Sequence, residues 1–167
     1  MSMDYWQQRI DDFWESAQGK DAAALRAELG ILLEPAIPAG HAAFELASLH
    51  DYLGEEVQAI PLYKTALDSG TLSRAKRSEA SIQLGSSLRN IGEPALAAKA
   101  LNEVDPDDPL YADAQAFLAL ALFDAGEESA ALKTALAALA PTLQQYAGPV
   151  RRYAQELTQV FHDGASN

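Results

Sequence analysis

Apolar residues recur along most of the chain with the period of an α-helix, and glycines divide this pattern into similar segments. Gly54, Gly92 and Gly126 are 38 and 34 residues apart, and a glutamate follows each one directly. The positions eight, four and one residues before each glycine form a largely apolar stripe, and those five, nine and twelve residues after it form a second. The pattern predicts helical hairpins in which glycine closes the first helix.

Small residues occupy fixed places in these segments. Alanine or glycine stands seven residues before each dividing glycine, and alanine stands five residues after it. A larger side chain at these places would keep the two helices of a hairpin apart, so we expect close helix contacts there. The six residues are Ala47, Gly85, Ala119, Ala59, Ala97 and Ala131.

These positions carry a resemblance to a known family. The residues Leu46-Ala47, Gly54, Ala59, Tyr63 and Ala66 resemble the tetratricopeptide repeat, as do Leu84-Gly85, Gly92, Ala97 and Leu101. The resemblance covers about residues 40–140 and extends to a group of small stand-alone bacterial proteins. It implies an all-α superhelix of stacked hairpins with a concave face, with about three clear repeats plus capping helices.

We expect a single domain over residues 1–167, with repeats at 40–69, 78–106 and 110–140. Residues 4–36 are either a degenerate first repeat or a cap, whose tryptophans Trp6 and Trp14 plug the core or form an oligomer contact. Residues 142–163 are predicted as a capping helix. Pro61 should kink the second helix of the first repeat or delay its start. The 38-residue step implies a longer second helix or loop around Asp68–Lys76.

Composition and charge exclude several classes of function. The 167 residues include no cysteine, which removes disulfides and thiolate metal sites. The formal net charge of −12 disfavours binding to nucleic acid or an anionic membrane. The basic cluster Arg74–Arg77 is interpreted as a solvated loop or helix end. With no signal-peptide pattern and no apolar run long enough to span a bilayer, we expect a cytoplasmic protein.

No residues with the spacing of a catalytic or metal site emerge. Ser73 and Lys76 match a Ser-x-x-Lys pattern, but its companion motifs are missing. His41 and His50 fall on opposite sides of a helix, and His50 is expected to be partly buried and hydrogen-bonded in a helix interface. Adjacent carboxylates, such as Glu127 and Glu128, point about 100° apart on a helix and suit helix starts. We therefore expect no enzyme activity and no cofactor.

A partner-binding groove is predicted from the resemblance, which implies that the first helix of each hairpin builds the inner wall. The inward positions lie ten, nine, six and three residues before each dividing glycine. They make a groove that is polar at one end and apolar at the other. Its predicted residues are Phe44, Glu45, Ser48 and Asp51, then Ile82, Gln83, Ser86 and Arg89, then Phe117, Leu120 and Phe123, with Ala116 at the remaining position.

The leading hypothesis is a protein–protein interaction module that binds a peptide or helix of a partner in this groove. Arg89 would pair with a carboxylate of the partner, and Glu45 and Asp51 would favour a basic residue. Packing of the apolar end against the protein's own C-terminal segment or an insertion is an alternative. A homo-oligomer, such as a homodimer, and a regulator that senses a peptide or small ligand are alternative functions.

Overall fold

The computed structural model describes residues 2–34 and 37–157. Within these ranges the chain forms nine α-helices and one short 3-10 helix, and no strand. The helices are α1 Met3–Glu15, α2 Ala22–Leu33, α3 Ala39–Tyr52, α4 Glu56–Asp68, α5 Arg74–Asn90, α6 Pro94–Leu101, α7 Tyr111–Asp124, α8 Glu128–Leu139 and α9 Ala147–Glu156, with the 3-10 helix at Ala140–Thr142. The all-α fold class is confirmed.

The dividing glycines end helices as predicted. Gly54, Gly92 and Gly126 have φ values of 72°, 81° and 78°, in the left-handed region that favours glycine. The backbone N–H after each glycine then reaches back into the helix; that of Glu93 donates to the carbonyl of Leu88 at 2.9 Å. The chain reverses there, so α3–α4, α5–α6 and α7–α8 form antiparallel hairpins.

The chain divides at Ser73/Arg74 into two compact units, the first with α1–α4 and the second with α5–α9. In the first unit, Trp6, Ile10 and Phe13 of α1 are buried with Leu29 of α2 and Leu49 of α3. The indole N–H of Trp6 donates to the carbonyl of Leu32 at 2.9 Å, which joins the start of α1 to the end of α2. Of the two alternatives predicted for Trp6, the structure agrees with packing in the core.

A polar contact inside the first unit ties α1 to the first hairpin. The indole N–H of Trp14 donates to the carboxylate of Glu45 at 2.8 Å, and Glu45 is only 2 % exposed. The Trp14 ring also packs edge-on against Phe13 and Tyr52. The tryptophan therefore covers apolar surface while its N–H meets the buried carboxylate.

Three local sequence predictions have different outcomes. Pro61 lies within α4, which begins at Glu56 and runs through it, so the proline does not delay the helix start. Between the first two dividing glycines lie α4, with 13 residues against 8 in α6, the loop at 69–73 and α5 with 17 residues, which agrees with the expected longer second helix or loop around Asp68–Lys76. The helix predicted over 142–163 begins only at Ala147, because the 3-10 helix and a short extended segment precede it; residues 158–163 lie outside the described residues.

In the second unit, α5 packs closely on α6 around Gly85. A methyl group built on Gly85 would lie 2.5 Å from Cγ of Leu101, well inside the ordinary contact distance of two carbon atoms. At the start of α5, Ser78 Oγ donates to the carboxylate of buried Asp108 at 2.8 Å, and the Arg74 guanidinium lies 3.7 Å from the same carboxylate. The basic cluster predicted as a helix end or loop is thus a helix start that faces carboxylates.

Gly85→Ala should destabilise the protein although alanine is the better helix former. We expect crowding against Leu101 to cost about 1–3 kcal/mol, more than the ~1 kcal/mol of helix propensity regained. Gly30→Ala is the matched control, since a methyl group on Gly30 in α2 meets nothing within 4 Å and should stabilise by about 0.5–1 kcal/mol. Urea unfolding of both variants measures the two free energies, and equal shifts would contradict the close-packing interpretation.

Candidate functional site

An apolar groove of about 820 Å³ runs between α7 and α8 in the second unit. Leu120 and Phe123 of α7 form one side and are 46 % and 61 % exposed, which is high for such large apolar side chains. Alanines form much of the floor, and Glu128 is the only charged residue of the lining. The lining residues are Ala112, Ala116, Ala119, Leu120, Phe123, Glu128, Ala131, Leu132, Ala135, Ala138, Leu139 and Thr142.

The first hairpin shows what fills the space between its two helices. Phe44, ten residues before its glycine, and Tyr63, nine after it, are both buried. Their rings pack edge to face with centroids 6.2 Å apart, so one large side chain from each helix fills the interior.

The third hairpin lacks this pair of large side chains. Ile82 and Leu101 hold the same two positions in the second hairpin and are buried, whereas the third has Ala116 and Ala135 there. Both alanines line the groove. The groove thus occupies the place where two large side chains are missing.

The C-terminal helix does not cover this groove. α9 packs against α8 and the 3-10 helix, and among the described residues none of its Cα atoms lies within 8 Å of an α7 Cα. Leu132 and Leu139 on α8 consequently remain about half exposed. The described part of the predicted cap therefore leaves an apolar face of the third hairpin open.

The first-unit residues of the predicted groove are mostly not on an open surface. Phe44 is 3 % exposed and Glu45 is 2 % exposed, so the prediction that these two residues line an open groove is wrong for both. Phe44 faces Tyr63 of the paired helix, and Glu45 accepts the Trp14 hydrogen bond. Ser48 and Asp51 are half-buried, and Asp51 accepts a hydrogen bond from the Tyr63 hydroxyl at 3.5 Å.

The α5 residues of the predicted groove are also partly engaged inside their unit. Ile82 is buried, and Gln83 and Ser86 are half-buried. Nε of Arg89 lies 2.6 Å from a carboxylate oxygen of Asp124 on α7. Arg89, expected to meet a carboxylate of a partner, is thus paired within the protein.

On α7 the structure brings Leu120 and Phe123 together in the apolar groove, while Phe117 is half-buried outside its lining. The α8 side of the groove, with Ala135, Leu132 and Leu139, was not predicted from sequence. A signal was present, because alanine stands nine residues after the third glycine where the other two repeats have tyrosine and leucine. That these residues act together as a binding site stays a prediction.

The carboxyl groups of Glu55 and Asp108 have lowered pKa values, and both accept hydrogen bonds within the fold. Hydrogen bonds from Arg26 and then from His50 hold the pKa of the Glu55 carboxyl below its ordinary value. The Arg26 guanidinium lies 2.6 Å from both carboxylate oxygens, and Nδ1 of His50 lies 2.7 Å from one. His50 is half-buried at a helix interface, as predicted. The backbone N–H of Leu110, and then the Ser78 hydroxyl, similarly lower the pKa of Asp108.

Residues 2–34 and 37–157 contain neither a cluster of metal ligands nor a helix that could span a membrane. Over these ranges no three histidine, aspartate or glutamate side chains are grouped so that they could hold a metal ion. None of the helices there combines the length and the apolar character that crossing a bilayer requires.

Arg26→Gln should raise the pKa of Glu55 toward its ordinary value, because the strongest hydrogen-bond donor to the carboxylate is removed. A carboxyl with a lowered folded-state pKa stabilises the fold above its unfolded-state pKa, and this stability is lost as the pH falls through the folded value. The variant should therefore lose less stability than the wild type on acidification. A ¹³C NMR titration of the Glu55 carboxyl tests this, with Lys64→Gln as control; an unchanged pKa in Arg26→Gln would contradict it.

Ala135→Leu should stabilise the third hairpin, because leucine would fill part of the groove from within. Burying part of the added side chain should contribute about 1 kcal/mol. The reciprocal variant Leu101→Ala, at the equivalent position of the second hairpin, should cost about 2–5 kcal/mol because it opens a cavity in a filled interior. Thermal unfolding of both variants is the measurement, and a Tm lowered by Ala135→Leu would show that the groove has no room for the side chain.

Comparison with known proteins identifies the repeats. The family described as Tetratrico peptide repeat matches residues 40–157, which include all three hairpins and α9. No curated protein and no solved structure gives a significant match. Repeats of this family generally mediate protein–protein interactions, and their all-helical fold is typically a non-catalytic interaction module. Because the match covers more than half of the chain and agrees with the helical hairpins, the chain belongs to the tetratricopeptide repeat family.

Proposed function

We propose that this chain binds a peptide or helix of a partner protein, and that the apolar groove between α7 and α8 is its principal contact surface. The observation that carries the proposal is the exposure of Leu120 and Phe123 above an alanine floor. A continuous apolar surface of this kind on a water-soluble protein is typical of an interaction site.

The energetics favour an occupied groove. Each Å² of apolar surface removed from water contributes roughly 25 cal/mol, and a partner side chain on the floor would bury apolar area on both molecules. The groove also contains a few polar groups, Glu128 and Thr142, that could orient a ligand. Gln83 and Ser86 on α5 of the same unit would extend the contact with hydrogen-bonding side chains.

Self-association is the main competing function, because the exposed groove could equally meet a second copy. The buried position of Trp6 argues against an oligomer contact through that tryptophan. Outside the Arg89–Asp124 ion pair, the α7–α8 hairpin has one cationic side chain, Lys133. It has three carboxylates, those of Asp113, Glu127 and Glu128. Face-to-face contact of two such grooves would bring like charges together, so a different protein is the preferred partner.

Leu120→Glu should abolish partner capture, because it places a charge on the apolar wall of the groove. The experiment is a pull-down from lysate of the source cell, read by quantitative mass spectrometry. Leu96→Glu is a matched control, since Leu96 on α6 is 48 % exposed, close to the 46 % of Leu120, and lies outside the groove lining. We expect at least a tenfold loss of captured partner for Leu120→Glu alone, with helicity by circular dichroism unchanged.

Equal capture by the two glutamate variants would show that partners bind elsewhere on the chain. If no protein is enriched over a blank resin, the groove does not serve as a stable partner site. Sedimentation equilibrium of the same variants then tests self-association, which Leu120→Glu should disrupt if two copies meet through the groove.

A further inference from the structure

The chemistry of the groove narrows the kind of partner, on the basis of the function proposed above. In the first hairpin the two helices contribute Phe44 and Tyr63 to the space between them, and these rings pack against each other. At the same two positions the third hairpin has Ala116 and Ala135, and both line open space. A ligand that restores the missing packing must therefore bring a large apolar side chain of its own.

The shape of the groove favours a helical ligand. Two adjacent antiparallel helices leave a furrow in which the ridges of a third helix can pack, at axial distances of about 8–10 Å. The 12 residues of α8 extend for roughly 18 Å at 1.5 Å per residue, the length of about three helical turns. A helix of three to four turns with apolar residues at i, i+4 and i+7 would cover this length.

The charge of the hairpin adds a further requirement. Glu128 is exposed and is the only charged residue of the lining, at the end of the groove where α8 begins. Asp124, which lies in the same turn region, is paired with Arg89 at 2.6 Å, so its charge is largely compensated. Glu128 has no ion pair among the described contacts at 4.0 Å or less, so within the lining it is the carboxylate available to a cation of the ligand.

We propose that the α7–α8 groove receives an amphipathic helix of another protein, which inserts a large apolar side chain between Ala116 and Ala135 and places a lysine or arginine beside Glu128. The apolar insertion supplies the affinity, and the charge pair sets the chemical class of the partner.

Two synthetic helical peptides test the proposal directly. Both carry leucines at i, i+4, i+7 and i+11 on an alanine–glutamine background; one has lysine in the first and last turns, and the other has glutamate at the same places. Binding to the full chain is measured by fluorescence anisotropy at low and high salt. We expect the lysine peptide to bind at least about fivefold more tightly than the glutamate peptide at low salt, because the charge at both ends of the peptide changes sign.

Substitutions of Ala135 and Glu128 test whether the peptides bind through these two residues. Ala135→Leu fills the floor from within and should weaken the lysine peptide at least tenfold while leaving helicity intact; Ala116→Leu serves the same purpose if the first variant does not fold. Glu128→Lys should reverse the preference between the two peptides, whereas Glu93→Lys, at a helix start of the second hairpin, should not change it.

Each outcome has a defined meaning. Reversal by Glu128→Lys together with loss of binding in Ala135→Leu supports the proposal. Equal binding of both peptides would overturn the basic-partner inference and leave the groove as an apolar binding site. Binding that survives both Ala135→Leu and Ala116→Leu would overturn the insertion between the alanines.

Absence of binding by either peptide would overturn the proposal that the ligand is a helix. The pull-down with Leu120→Glu tests the proposed interaction function independently. Dimerisation that Ala135→Leu abolishes would identify a second copy as the occupant.

Discussion

The close approach of the two helices in each hairpin is the constraint on which the repeat architecture depends. At Gly85 the two helices are so close that even an added methyl group would lie 2.5 Å from Leu101 of the paired helix. Alanine holds the equivalent place in the other two hairpins. With the helices held close, each hairpin interior has a fixed volume, which side chains either fill or leave open.

The groove follows from this fixed volume. In the first two hairpins a large side chain from each helix is buried between them, but in the third both positions carry alanine. The helices α7 and α8 are joined through a glycine turn like those of the other hairpins, with Gly126 at a φ of 78°. An open apolar surface therefore lies where the third hairpin has two alanines in place of large side chains.

In the first unit, carboxylate side chains join helices to one another. Buried Glu45 receives the Trp14 indole N–H, and Glu55 receives hydrogen bonds from Arg26 and His50, so carboxylates join α1 and α2 to the following hairpin. Buried carboxylates need such donors, because an unpaired one would be costly to remove from water. These carboxylates are therefore engaged within the fold, whereas Leu120 and Phe123 of the third hairpin are exposed beside an open groove.

The sequence by itself determined the hairpins, their glycine ends and the places of close contact, because helical period, left-handed turns and small side chains are local properties of the chain. The family resemblance placed Leu120 and Phe123 among the inward positions, together with Phe44, Glu45 and Phe117. Tertiary structure alone decided that Phe44 and Glu45 are buried and that Arg89 is paired with Asp124. The helical periodicity of the sequence assigns a residue to a face of its helix. Side chains of other helices decide whether that face is covered. The same reason explains why the α8 half of the groove was missed: an open volume belongs to two helices together, and neither helix shows it alone.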